Sequence, residues 1–235
     1  MTTGGSSQAS ATRDARTLKR PNQTPLIDLK RRLMAWSREK KIRHFYSLCS
    51  EPQKILDVGV SQDRQGVLPA QNYFLKTFRY ASSLYTGLGI EDLSALEQKY
   101  PDKRFVRYGG KVFPFADKEF DWAFSNAVVE HVGSEADQLR FINEMLRVAR
   151  QVFFTTPNKY FPIESHTHAL FRHWSDERFY AWCARRTPWW TRKNLYLFSR
   201  SRLESVMRRS NAAHYEIHTG RLLGWPMTFT VICRA

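Results

Sequence analysis

The chain has few cysteines and no long apolar run, and each shortage excludes a class of protein. Three cysteines occur in 235 residues, Cys49, Cys183 and Cys233, and none forms a CxxC pair. Neither a disulfide framework nor a cysteine zinc site is therefore indicated. No apolar stretch approaches the ~18 residues of a membrane span, and no signal-peptide core follows the N-terminus. We expect a cytoplasmic protein.

Acidic residues are also scarce relative to basic ones. The 37 Lys and Arg against 22 Asp and Glu give a formal net charge of +15, which is large enough to attract phosphates or anionic lipid. Residues 1–24 are rich in Ser, Thr, Gly and Ala and carry several basic side chains, so they predict a disordered basic tail. A solvated basic surface that has no partner stays open as the alternative.

An amphipathic basic helix is predicted over about 26–43, with a break near Ser37. Its apolar residues recur at helical spacing among basic ones: Leu26, Leu29, Leu33 and Trp36. Such a helix either packs on the domain with a solvated charged face or binds a membrane or nucleic acid. The sequence leaves both alternatives open.

The stretch 54–61 predicts a buried strand that runs into a tight turn. Ile55, Leu56 and Val58 suit a strand covered on both faces, and Gly59 allows the backbone to turn or to approach a ligand closely. In open α/β sheets, ligands bind beyond the carboxyl ends of the strands. A ligand site is therefore expected at this turn.

Strands alternate with helical segments in the residues that follow. We predict strands at 54–60, 84–90, 104–108, 120–126 and 152–156, and helices at about 69–82, 93–100 and 138–150. This spacing predicts an α/β fold with a doubly wound, mostly parallel sheet. One domain is expected over 25–235, with its core at about 50–160. Aromatic and basic residues over about 160–198 predict a C-terminal lid or insertion.

Five motifs in order resemble the class I S-adenosylmethionine-dependent methyltransferases, in particular their type 11-like group. They are ILDVG at 55–59, FPFADKEFD at 113–121, SNAVVEHV at 125–132, EMLRV at 144–148 and TTPN at 155–158. The resemblance covers roughly residues 50–160. It implies a Rossmann-like methyltransferase fold, an enzyme, and S-adenosylmethionine as the cofactor.

The resemblance also implies where the cofactor binds. Asp57, Gly59 and Ser61 would border its methionine part. The loop after the fourth strand, with Ser125 and Asn126, would flank the sulfonium and the acceptor.

The usual carboxylate for the ribose hydroxyls falls at Gly89 in this chain, and an Asp that contacts the adenine amine falls at Gly109. Glu91 or Asp92 would then hold the ribose, because a carboxylate accepts both hydroxyl donors.

Histidines and a glutamate are the candidate catalytic residues. His131 lies near the expected methyl site, either as a base or as a structural histidine. Glu164, His166 and His168 follow the fifth strand and would bind the acceptor or act as a base. Their spacing also resembles that of metal ligands, but the signal is weak and we assign no metal.

Two classes of function remain. The first is a methyltransferase for a small-molecule, sugar or lipid-linked acceptor, with peripheral contact with the anionic inner face of a membrane. The second is a catalytically degenerate methyltransferase fold that serves as a binding module for a membrane surface or nucleic acid. Nucleic acid is the less expected partner, since no Asn-Pro-Pro-Tyr type of signature occurs. The sequence does not predict the oligomeric state.

Overall fold

The computed structural model describes residues 25–62 and 71–234, so the predicted tail over 1–24 lies outside the described residues. One seven-stranded sheet forms the centre, with strands β1 (Ile55–Val58), β2 (Tyr85–Gly89), β3 (Arg104–Arg107), β4 (Phe120–Asn126), β5 (Ala149–Pro157), β6 (His214–Leu222) and β7 (Trp225–Arg234). Their order across the sheet is β3-β2-β1-β4-β5-β7-β6. Strands β1 to β5 are parallel and β7 is antiparallel to both of its neighbours. The predicted doubly wound, mostly parallel sheet is confirmed.

The helices are α1 (Pro25–Leu48), α2 (Tyr73–Lys76), α3 (Ser94–Lys99), α4 (Glu135–Val148), α5 (Asp176–Arg186) and α6 (Arg200–Arg208). The predicted break near Ser37 is wrong, because α1 continues through it. The helix expected at 69–82 is also too long. Only α2 forms there, residues 63–70 lie outside the described part, and the rings of Phe78 and Tyr80 pack in a loop against Tyr85 and Tyr46.

Helix α1 is fixed on one face of the sheet by an aromatic contact. The ring of Phe45 is fully buried, and its centroid lies 5.4, 5.1 and 5.5 Å from those of Trp122, Phe124 and Phe153. Helices α4 and α6 pack against the other face in a second apolar cluster. Because both faces are covered, ligands can reach the sheet only at its strand ends.

The segment 158–198, which includes the stretch of about 160–198 predicted as a lid or insertion, lies next to the loop after β4. The Tyr196 N–H donates to the carbonyl of Glu130 at 2.7 Å, and the Lys159 N–H donates to that of Phe198 at 2.8 Å. A small apolar cluster of its own includes Phe179, Cys183 and Leu195. Within the described residues, no helix is both long enough and apolar enough to cross a membrane.

Candidate active site

A cavity of about 570 Å³ opens at the carboxyl ends of β1, β2 and β4. Its volume falls within the ~300–1,000 Å³ that is usual for cofactor and ligand sites. The predicted site residues that border it are Asp57, Gly59, Ser61, Glu91, Asn126 and His131. The predicted site residues that do not border it are Asp92, Ser125, Glu164 and His166.

Asp57 is buried beside the cavity. Among the described residues its side chain accepts one hydrogen bond, from the Tyr85 hydroxyl to Oδ2 at 2.7 Å. Burial raises the pKa of Asp57 to about 7, and the bond from Tyr85 opposes that effect only in part. A positively charged ligand group would therefore stabilise this carboxylate.

Two glycines allow the backbone to pack closely at this edge of the sheet. Gly59 has a φ of +102°, and a Cβ there would lie 2.3 Å from Cγ2 of Val128. A Cβ on Gly89 would lie 2.1 Å from the carbonyl oxygen of Val60. The turn after β1 thus crosses the end of β2. Position 89, where the resemblance expects the ribose carboxylate, has no room for a side chain.

Glu91 and Asp92 lie in different surroundings, although they are adjacent in the chain. Glu91 borders the cavity, and its Oε2 accepts a hydrogen bond from the Gln62 N–H at 3.0 Å. Asp92 is exposed, and its Oδ1 accepts from the Ser94 N–H at 3.0 Å at the start of α3. Of these two carboxylates, Glu91 is the one within reach of a ligand in the cavity.

Ser61 is held by the amide side chains that precede α2. Its N–H donates to Oδ1 of Asn72 at 3.2 Å, and its carbonyl accepts from Nδ2 of the same side chain at 2.7 Å. The amide of Gln71 donates to its Oγ at 2.7 Å. These bonds fix the turn after β1.

Ser125 and Asn126, at the end of β4, also differ. Ser125 is buried and donates to the Val58 carbonyl at 3.1 Å, which links β4 to β1. Asn126 borders the cavity, and its Oδ1 accepts from the Thr155 hydroxyl at 2.7 Å and from Nζ of Lys41 at 3.4 Å. Asn126 is therefore the residue of this pair that a ligand can contact.

Helix α1 brings one cation to the edge of the cavity and a second to Asn126, which lines it. Arg38 borders it, and among the described residues its guanidinium has no hydrogen-bond or ion-pair partner. Lys41 lies one turn further along. Burial lowers the pKa of both groups, that of Lys41 to about 8, although the charge of Glu130 opposes the shift of Lys41.

Three of the four candidate catalytic residues, His131, His166 and Glu164, form one hydrogen-bonded chain. The Nε2 atoms of His131 and His166 lie 3.0 Å apart. Nδ1 of His131 lies 2.8 Å from the Asn194 carbonyl oxygen, and Nδ1 of His166 lies 2.7 Å from Oε1 of Glu164. Burial alone would raise the pKa of Glu164, but hydrogen bonds from His166 and Thr167 outweigh it and lower that pKa to about 2. Glu164 is therefore ionised.

Glu130 precedes His131 and is completely buried. Its Oε2 accepts a hydrogen bond from the Thr156 hydroxyl at 3.0 Å. Its Oε1 lies 4.0 Å from Nε2 of His131 and has no hydrogen-bond donor among the described residues. Trp190 covers the two histidines, with ring centroids 5.7 and 5.4 Å from those of His131 and His166.

Comparisons with known proteins agree with this fold. A family model described as a methyltransferase domain matches residues 72–152. An S-adenosylmethionine-dependent methyltransferase from Methanosarcina mazei is 15% identical, with a TM-score of 0.53 over 78% of this chain and 92% of that one. A 1,6-didemethyltoxoflavin-N1-methyltransferase from Burkholderia thailandensis, solved with 1,6-didemethyltoxoflavin and S-adenosylhomocysteine, is 16% identical, with a TM-score of 0.50 over 92% of each chain. A comparison with curated proteins found no match.

The sheet order, the strand-end cavity and these structural likenesses define the class I methyltransferase fold. With the methyltransferase domain that the family model matches over residues 72–152, they are consistent with an S-adenosylmethionine-dependent methyltransferase of this class. The predictions of the family, the enzyme class and the cofactor are thereby confirmed.

The cavity residues suit this cofactor. Asp57 offers a buried carboxylate to a cationic group of the methionine part, Glu91 can accept from the ribose hydroxyls, and Gly59 permits close approach. When bound, the cofactor supplies an electrophilic methyl group. The individual contacts remain predictions.

Sequence reasoning missed several residues of the site. Arg38 and Lys41 could have been found, because with Ile42 they occupy one face of a helix at spacings of three and four residues. Asn194 and Trp190 gave no signal, since only the fold of segment 158–198 brings them to His131.

Proposed function

We propose that this methyltransferase acts on a hydroxyl group of a small-molecule, sugar or lipid-linked acceptor that carries a negative charge. Arg38 is the observation that carries the proposal, because its guanidinium borders the cavity with no partner among the described residues. Lys41 adds a second positive charge from the same helix. A phosphate or carboxylate on the acceptor would supply an anionic partner for the Arg38 guanidinium.

In this proposal His131, which borders the cavity, holds the acceptor hydroxyl, and His166 supports His131 through their Nε2 atoms, which lie 3.0 Å apart. Asn194 and Glu164 fix the orientation of the two rings through their Nδ1 atoms. Methyl transfer is an in-line displacement, so the chain contributes mainly by aligning the hydroxyl and excluding water. Trp190 lies beside both rings and would help to exclude water from the hydroxyl.

Calorimetric titration with S-adenosylhomocysteine tests the cofactor site. Hydrogen bonds to a charged group contribute about 1.5–3 kcal/mol, so Glu91→Ala should weaken binding by about tenfold to a hundredfold. Asp92→Ala is the matched control, because Asp92 is adjacent but exposed and bound to the start of α3. Absence of heat with the wild-type protein would favour the binding-module alternative. An equal affinity of Glu91→Ala and wild type would refute only the ribose assignment.

The acceptor proposal is tested by transfer of a labelled methyl group to matched hydroxyl acceptors with and without a phosphate. Arg38→Gln should raise KM about tenfold for the phosphorylated acceptors and leave it unchanged for neutral ones. Arg32→Gln is the control, since Arg32 is exposed on the same helix. Equal activity of wild type on both acceptor sets would contradict the proposal.

A lipid-linked acceptor is favoured by a group of exposed apolar side chains, here named the rim patch: Tyr160, Ile163, Leu170, Phe171 and Trp174. Ile163 and Leu170 are bridged across the loop that carries His166, and the rings of Phe171 and Trp174 lie 5.0 Å apart. Exposed arginines are interspersed at 172 and 178. Aromatic and apolar groups beside cations suit the headgroup region of an anionic membrane, and we propose peripheral contact there.

A further inference from the structure

The hydrogen bonds of the two site histidines determine which ring nitrogens carry protons. The carbonyl oxygen of Asn194 can only accept, so Nδ1 of His131 carries a hydrogen. The Glu164 carboxylate also accepts, so Nδ1 of His166 carries one too. In the neutral rings, both Nε2 atoms then present lone pairs to each other across 3.0 Å. A positive charge between the two nitrogens, either a proton or a metal ion, would stabilise this arrangement.

Glu130 discriminates between these two possibilities. Its Oε1 is completely buried, has no donor among the described residues, and lies 4.0 Å from Nε2 of His131. A buried acceptor without a hydrogen-bond donor destabilises the fold, and the cost is larger when the acceptor is charged. A proton between the two rings would leave this oxygen without a partner, whereas a metal ion can take all three atoms as ligands.

We infer that Glu130, His131 and His166 form a binding site for one divalent transition-metal ion, for which Zn²⁺ is the best match. Two imidazoles and a carboxylate are a usual ligand set for catalytic zinc, and each nitrogen lies about 2.0–2.1 Å from the ion. At N–Zn–N angles up to the tetrahedral value, two such nitrogens are about 3.0–3.4 Å apart. The observed Nε2–Nε2 distance of 3.0 Å falls in that range. All three ligand atoms lie within 4.8 Å of one another, so small side-chain rotations would bring them to a common ion.

The surroundings of the three ligands match those of metal centres. Metal-bound histidines usually donate their other N–H to a carbonyl or a carboxylate, as His131 does to Asn194 and His166 to Glu164. Three protein ligands leave a fourth position for a substrate oxygen. His131 borders the cavity, so the proposed site adjoins the space in which the acceptor would bind.

The role of this ion in the reaction rests on the proposed function. An acceptor hydroxyl in the fourth position would be held in place and would lose its proton at a lower pH than in water. The proton leaves to solvent or buffer, the oxygen forms its bond to the methyl carbon, and the bond from that carbon to the cofactor sulfur breaks. The sulfur leaves as a neutral thioether.

Metal titration of the full-length protein in the absence of cofactor and acceptor tests the site itself. Protein freed of metal with a chelator is titrated with Co²⁺, followed by visible absorption and calorimetry, and then with Zn²⁺. We expect one Co²⁺ per chain and its displacement by one equivalent of Zn²⁺. Glu130→Gln and His166→Ala should each weaken binding at least tenfold, and Glu164→Gln about tenfold through the orientation of His166. His168→Ala is the matched control, because His168 is exposed and is not one of the three ligands.

Several outcomes would overturn the inference. Absence of saturable Co²⁺ binding would leave a shared proton between the rings. Glu130→Gln keeps the shape of the buried side chain. Unchanged metal binding in this variant would show that Glu130 is not a ligand. Equal losses in His168→Ala and His166→Ala would place the metal elsewhere. Failure of this titration leaves the S-adenosylhomocysteine test untouched, so the two proposals fail separately.

Discussion

Replacing Gly89 with alanine should destabilise the fold, because position 89 has no space for a methyl group. A Cβ there would lie 2.1 Å from the carbonyl oxygen of Val60 and 3.3 Å from Cδ2 of Leu93. The oxygen belongs to a turn whose Gly59 and Val60 N–H groups both bond to the Leu88 carbonyl, at 2.9 and 3.1 Å. It cannot rotate aside as a side chain could. Overpacking costs about 1–3 kcal/mol, and the required backbone shift puts this variant at the upper end.

Thermal unfolding measures that cost. A change of about 1 kcal/mol shifts Tm by roughly 2–4 °C in a chain of this size, so Gly89→Ala should lower Tm by about 6–12 °C. Gly109→Ala is the matched control, because no atom lies within 4 Å of a Cβ there, and its Tm should change little. Gly89→Asp, which restores the acid typical of the family, should destabilise the fold without raising affinity for S-adenosylhomocysteine. Equal Tm values for Gly89→Ala and wild type would refute the close approach of the two turns.

Two further predictions concern pH and membranes. The pKa of Asp57 is about 7 in the folded state and about 3.9 in the unfolded state. Its contribution to the free energy of unfolding is therefore fully present below about pH 4 and is lost as the pH rises through 7. Asp57→Asn should therefore raise the free energy of unfolding at pH 8 by about 3–4 kcal/mol relative to wild type and leave it nearly unchanged at pH 4; an equal gain at both pH values in denaturant titrations would contradict this. The protein should sediment with anionic but not neutral vesicles, less so at high salt and less so when Phe171 and Trp174 of the rim patch are replaced by Ser. Val112→Ser, exposed in the loop after β3, is the control, and a protein that stays in the supernatant with both vesicle types at low salt would rule out the membrane contact.

Much of the sheet could be predicted from the sequence. Strand β4 was predicted with the bounds that the structure has, and β1, β2, β3 and β5 within a few residues, because runs of apolar residues between helical segments are what a sheet covered on both faces requires. The same reasoning placed the turn after β1, with Asp57 and Gly59, at the ligand-binding edge, since ligands bind beyond the carboxyl ends of parallel strands. The family resemblance, and not the strand pattern, placed Asn126 and His131 there. The methyltransferase class followed from the order of the motifs.

The tertiary structure alone decided which neighbours these residues have. His166 meets His131 across 35 residues and Asn194 meets it across 63, because the segment after β5 folds back on the loop after β4. Arg38 reaches the cavity only because Phe45 fixes α1 on the sheet. Hydrophobic periodicity records which face of an element is buried, but it carries no information on which distant element covers that face. The adjacency of Glu130 and the two histidines, on which the metal inference depends, therefore came from the fold.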